Sequence, residues 1–127
     1  LSELMRMGIR LGVVSDAPRL PVLLRIVSLN LHHYFEKVVT FDDTGERKPS
    51  PKPFLKIIED MKIDPTKAIM VGDWAERDIV GAKNIGMITA WAKYGNQFDT
   101  KNSGADWELE DIYDLIKIVR KLNENKK

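Results

Sequence analysis

The chain has 127 residues, 43% of them hydrophobic and 31% charged, which predicts one globular domain and excludes collagenous, low-complexity and largely disordered chains. Twenty basic against nineteen acidic side chains leave a formal net charge of +1, so the charge balance favours neither nucleic acid nor an acidic membrane as partner. Zero cysteines exclude disulfides, thiolate metal sites and cysteine catalysis, and the composition as a whole predicts a cytoplasmic protein.

The chain opens with Leu1, and Leu4, Met5 and Met7 before Gly8 read as the last turns of a helix. It therefore begins as the inside of a protein does, and an N-terminal part ahead of it is expected. Ile9 to Val14 is an apolar, β-branched run that predicts a buried strand ending at Ser15. Asp16-Ala17-Pro18 supplies a turn and a helix start. Leu20, Leu23, Leu24, Val27 and Leu31 then recur at helical spacing. Lys37 to Phe41 predicts a second short strand, and Asp42 to Pro51 a polar loop.

Phe54, Leu55, Ile57, Ile58 and Met61 give one face of a helix, with Pro53 tolerated in its first turn. After the break at Asp64-Pro65, Ala68 to Val71 reads as a third strand closed by Gly72-Asp73. Ile79, Val80, Ala82 and Ile85 mark a helix that Gly86 ends, and Met87 to Trp91 a fourth strand. Beyond a loop over residues 93–104, Trp107 to Leu109 predicts a short edge strand. Ile112, Leu115, Ile116, Val119 and Leu122 form the stripe of a closing helix. The expected domain spans residues 1–122, with a flexible polar tail over 123–127. Short strands alternating with helices predict an α/β chain with a parallel sheet.

In open α/β sheets ligands bind beyond the carboxyl ends of the strands. Ser15 and Asp16 follow the first strand, Asp42 and Asp43 the second with Lys48 shortly after, and Gly72 to Asp78 the third. Asp73 and Asp78 could face one small volume. Two carboxylates with nothing softer nearby suit a hard cation such as Mg²⁺, completed by water and phosphate. Lys48 offers a positive charge to a phosphoryl oxygen or a carboxylate. The Ser15 hydroxyl, with the backbone N–H groups after it, can bind phosphate oxygens.

Each residue also has a plainer reading. Asp73 and Asp78 could merely cap and charge a helix start. Lys48 could be a solvated loop lysine and Ser15 an N-cap. The adjacent His32 and His33 read as structural, Trp74, Trp91 and Tyr94 as core or rim. Lys117, Arg120, Lys121, Lys126 and Lys127 read as a solvated helix end and tail.

The ordered combination resembles the haloacid dehalogenase-like hydrolase superfamily. Gly8 through Asp16 looks like that family's apolar strand ending in Ser or Thr, and Tyr34-Phe35 with Val38-Val39-Thr40 like the stretch before its lysine loop. Lys48-Pro49-Ser50-Pro51-Lys52-Pro53-Phe54 matches its Lys-Pro-x-Pro-x-x-Phe pattern. Ile69 through Asp78, followed by Gly81 to Met87, looks like its acidic metal motif and the helix after it. Ala105-Asp106-Trp107 resembles the segment before its last helix.

The resemblance implies a Rossmann-like three-layer α/β/α fold and Mg²⁺-dependent hydrolysis of a small phosphomonoester through an aspartyl-phosphate. It implies that Ser15 and Lys48 are catalytic, that Ser15, Asp16 and Lys48 bind phosphate, and that Asp73 binds Mg²⁺ with Asp78 in support. The metal-free haloacid dehalogenases of the superfamily usually lack an acid where Asp73 stands, so Asp73 favours a phosphatase. The family's first motif, Asp-x-Asp on a central N-terminal strand, has no match in this chain, and neither has its cap. The chain is therefore expected to be the C-terminal part of a larger phosphatase, inactive alone because its nucleophile lies elsewhere. The opened sheet is expected to close by direct pairing of the first and third strands, by self-association, or by accepting a missing N-terminal segment. A non-catalytic partner-binding module, whether a degenerate relative or half of a split protein, is the rival reading. A phosphate- or nucleotide-sensing domain without hydrolysis is a further one.

Overall fold

The computed structural model describes residues 1–124. The order is α1 (Ser2–Arg6), β1 (Gly12–Val14), α2 (Arg19–Ser28), β2 (Lys37–Val39), α3 (Phe41–Thr44) and α4 (Pro51–Met61), then β3 (Ile69–Gly72), α5 (Ala75–Asn84), β4 (Ile88–Ala92), β5 (Trp107–Leu109) and α6 (Asp114–Glu124). All strand pairs are parallel: β1 with β2, β3 with β4, and β4 with β5 at the edge. Parallel neighbours need a crossover, which α2 supplies between β1 and β2 and α5 between β3 and β4.

Side chains on β3 alternate between two cores. Met70 packs with Phe54, Ile57 and Met61 of α4 and Ala82 of α5. Ile69 and Val71 turn the other way, onto Leu4 of α1 and Leu115, Ile118 and Val119 of α6. Successive strand residues point to opposite faces, so helices cover both faces and the chain forms three layers. Phe54 has no solvent exposure and lies against Gly81, where a Cβ would strike its ring. Burying such a side chain is worth about 2–3 kcal/mol.

The strands form two sheets, β1-β2 and β3-β4-β5, rather than one. Between β1 and β3 lies a groove of about 770 Å³, lined by Leu11, Val13, Ile57, Met61, Val71 and Leu115 among others. Of the three expected ways to close the sheet, direct pairing of β1 with β3 is not the one adopted.

Other departures are local. β1 starts at Gly12, where pairing with Lys37 of β2 begins, and is half-buried rather than buried, with Gly12 exposed, because its other edge is unpaired. Ile9 and Leu11 before it pack partly against the core of α1 and α6. Thr40 leaves the second strand, and its N–H and hydroxyl both donate to Asp43 Oδ2, at 2.7 and 2.9 Å. The loop expected from Asp42 thus opens as the single turn α3. The apolar stripe read over α2 is only partly covered: Leu23 and Leu31 are half-buried, Leu20, Leu24 and Val27 are exposed, and Ile26, outside the stripe, is the buried residue. Helical spacing fixes which residues share a face but not whether another element covers it. Of the tail expected from Asn123, Asn123 and Glu124 belong to α6, and residues 125–127 lie outside the described residues.

Candidate active site

The loops after β1, β2 and β3 meet at one edge. The Ser15 N–H donates to the Val39 carbonyl at 2.9 Å, extending the β1–β2 pairing by one residue. Its hydroxyl accepts the Ala17 N–H at 3.2 Å, turning the chain toward α2. Both carboxylate oxygens of Asp16 are engaged: Oδ1 accepts the Lys48 backbone N–H at 2.8 Å, and Oδ2 a guanidinium N–H of Arg77 at 3.1 Å. What Asp16 can offer a phosphate is its backbone N–H.

Lys48 is not a solvated loop lysine. Its Nζ lies 2.6 Å from Asp78 Oδ1 and donates to the Val14 carbonyl at 3.2 Å, with 11% and 8% of the two side chains exposed. Asp78 Oδ2 accepts the Trp74 N–H at 3.2 Å. Asp78 therefore fills both of its readings, closing the start of α5 and holding the lysine. A buried charge pair persists when its geometry is good and further hydrogen bonds engage its other donors and acceptors; here the Val14 carbonyl meets the ammonium and the Trp74 N–H meets the second carboxylate oxygen. The pair leaves a fixed ammonium at the strand edge, beside the Ser15 loop, where a phosphoryl group would need one.

Asp73 stands exposed immediately after β3. Its carbonyl accepts the indole N–H of the fully buried Trp91 at 3.0 Å. Gly95 lies so close that an added Cβ would come within 2.8 Å of both Cβ and Oδ2 of Asp73. Trp91 thus anchors the Asp73 backbone, while the carboxylate lies beside Gly95 and open to solvent. Tyr94, next to Gly95, has its phenol pushed above the ordinary value, first by burial and then by the charges of Asp111 and Asp73.

No group of three or more His, Cys, Asp or Glu side chains that could enclose a metal occurs among the described residues. Mg²⁺ asks for less, since it keeps several waters and takes one or two carboxylates plus phosphate. The open carboxylate of Asp73 fits that demand. Asp78 already has both oxygens engaged, one by the Lys48 ammonium and one by the Trp74 N–H.

The remaining candidates have structural posts. Asp42 accepts the Arg19 N–H at 3.0 Å and closes the start of α2. Asp43 has its pKa held below the usual aspartate range, chiefly by the Thr40 backbone N–H, with burial opposing it and the Thr40 hydroxyl, the Arg19 guanidinium and Lys56 lowering it further. His32 and His33 are exposed and lie ring to ring at 3.9 Å. Trp74 stacks on Phe98 at 4.2 Å and carries the Arg77 guanidinium 3.8 Å above its ring.

Two features were not legible as site residues: Arg77 as the partner of Asp16, and Phe98 as the partner of Trp74. The only sequence signal is that Trp74 and Arg77, three apart at a helix start, share a side. The residues they meet lie on distant loops.

A family profile for haloacid dehalogenase-like hydrolases matches residues 1–92. The chain is 37% identical to a glyceraldehyde 3-phosphate phosphatase of Pyrococcus abyssi, over 98% of this chain and 53% of that protein. It is 34% identical to the pyrophosphatase PpaX of Bacillus cereus, over 97% of this chain and 57% of that protein. Among solved structures, a haloacid dehalogenase-like phosphatase from Thermococcus onnurineus superposes with a TM-score of 0.83 at 36% identity, over 93% of this chain and 54% of that one. The chain spans about half the length of the curated relatives it matches. By profile, sequence and fold together, the chain belongs to the haloacid dehalogenase-like hydrolase family.

Proposed function

We propose that this chain is the C-terminal part of a Mg²⁺-dependent cytoplasmic phosphatase that hydrolyses a small phosphomonoester. The observation that carries the reading is the Lys48–Asp78 pair, which at 2.6 Å ties the loop after β2 to the first turn of α5, at the edge where the loops bearing Ser15 and Asp73 also end. In this reading the nucleophilic aspartate arrives on a strand outside this chain. That strand, an N-terminal segment of the same protein, occupies the groove between β1 and β3, whose facing edges are unpaired with each other. An extended segment there gains main-chain hydrogen bonds on both sides and buries apolar side chains against both cores.

The roles follow from the positions. The Ser15 hydroxyl and the backbone N–H groups after it hold non-bridging phosphoryl oxygens. Lys48, fixed by Asp78, offsets the negative charge that gathers on nucleophile and phosphate as they approach, which is where preorganised charge lowers a barrier most. Asp73 would hold Mg²⁺, which when bound shields the phosphoryl oxygens and orients them. The external carboxylate attacks phosphorus and displaces the substrate alkoxide, and water then releases phosphate from the carboxylate.

The relatives' names, glyceraldehyde 3-phosphate phosphatase and pyrophosphatase, describe hydrolysis of a phosphomonoester and of a phosphoanhydride; both support phosphoryl hydrolysis of a small molecule here, and the first supports the phosphomonoester class. The test is hydrolysis of p-nitrophenyl phosphate by the gene product that contains this sequence, with and without Mg²⁺. Turnover that needs Mg²⁺ and falls at least about 100-fold in Lys48→Met is the expected result, with no turnover from the 127-residue chain alone. Turnover unchanged in Lys48→Met contradicts the reading. A gene product that self-associates through the groove and hydrolyses nothing points instead to the partner-binding module.

A further inference from the structure

The first turn of α5 is where the site's loops are fastened together. Asp78 holds Lys48 from the β2 loop. Its neighbour Arg77 holds Asp16 from the β1 loop, Nη1 to Oδ2 at 3.1 Å. Asp16 then reaches back to the β2 loop, with Oδ1 accepting the backbone N–H of Lys48 itself at 2.8 Å. The contacts close a ring: α5 to Asp16, Asp16 to the Lys48 backbone, the Lys48 ammonium to Asp78, and Asp78 back to α5. Trp74, in the same turn, underlies the Arg77 guanidinium at 3.8 Å.

We propose that Arg77 is a positioning residue, which through Asp16 fixes the backbone at Lys48 and so keeps the Lys48 ammonium on Asp78. This rests on the phosphatase reading for its catalytic meaning, though the geometry it describes does not. Arg77 touches none of the reacting groups. Its value lies in a planar guanidinium, which can lie flat on an indole and at the same time direct an N–H at a carboxylate, whereas an ammonium lacks the flat face. Lys48 has a long, flexible stem, and without a fixed backbone its ammonium samples other positions at the expense of the Asp78 contact. A partly exposed ion pair of this kind contributes little to overall stability, so Arg77 should matter more to where Lys48 sits than to whether the chain folds.

The test is competitive acetylation of lysines read by mass spectrometry, on the gene product that contains this chain, with folding checked by circular dichroism. In Arg77→Met, labelling of Lys48 relative to Lys62 and Lys83 should rise about fivefold, the lower range of what losing such a contact does to an equilibrium. Asp16→Ala, which breaks the same ring at its next member, should give the same rise and serves if Arg77→Met does not fold. Arg77→Lys should fall between wild type and Arg77→Met. Where the protein turns over phosphomonoester, kcat should fall in Arg77→Met with KM little changed. Lys48 labelling at the wild-type level in Arg77→Met and Asp16→Ala, alongside a rise in Asp78→Ala, overturns the proposal. Absence of phosphatase activity with the labelling pattern intact would remove the catalytic reading and leave the positioning role standing.

Discussion

Lys48 lies on the loop after β2 and Asp78 in the first turn of α5, yet their charged groups meet at 2.6 Å, with about a tenth of either side chain exposed. A lysine so placed is neither solvated nor free to wander. Removing one member of such a pair leaves the other buried without its counter-charge, which typically destabilises by about 3–5 kcal/mol. Lys48→Met should show a loss in that range by chemical denaturation. Adding Asp78→Leu to it should restore part of the loss, because the orphaned carboxylate is then gone. A double variant as unstable as the sum of the single ones would mean that the two groups do not interact.

Gly72 is the last residue of β3, and a Cβ there would run into the Asp78 carboxylate. Gly72→Ala should therefore destabilise by about 1–3 kcal/mol, as overpacking does, and should also raise Lys48 labelling by displacing its partner. Gly81→Ala makes an equivalent collision with the Phe54 ring, in the core rather than the site. It should lower stability in the same range and leave Lys48 labelling unchanged. The pair of variants separates damage to the core from damage to the site.

Asp43 gives a pH dependence whose sign is fixed by its surroundings. Its pKa in the folded chain is lowered, chiefly because the Thr40 backbone N–H donates to the carboxylate. The stabilisation is complete above the ordinary aspartate range and is lost as pH falls through the folded-state value. Asp43→Asn keeps an acceptor for the Thr40 N–H but loses the charge, and should be less stable than wild type by about 0.3–1 kcal/mol at neutral pH. The gap should close in acid. A gap that is constant across this range would show that the charge of Asp43 contributes nothing.

The strands and helices were legible because periodicity and turn residues report on local geometry, and the chain's elements are short and well punctuated. Ile69-Met70-Val71 reads as a buried strand; it packs on a core at each face but is only half-buried, because its edge toward β1 is unpaired. Lys48, Asp73 and Asp78 were legible as a group because each follows a strand end, and parallel strands bring their carboxyl ends to one edge. The α2 stripe misled, since Leu20, Leu24 and Val27 share a face that no described element covers. Asp42 and Asp43 stood at a strand end like the site residues but close helix starts instead. The Arg77–Asp16 contact was out of reach, because a tie between separate loops leaves no trace in spacing.

The Lys48–Asp78 pair stands on a sheet opened between β1 and β3, and in the phosphatase reading a further strand of the same protein fills that opening. The intact mass of the protein as its own cell produces it tests that most directly. Because the chain covers 53% of its Pyrococcus abyssi relative, a mass roughly twice 14.5 kDa is expected, with an Asp-x-Asp strand in the added sequence. A native mass of 14.5 kDa would contradict the account, since the groove would then have no strand of its own protein to fill it.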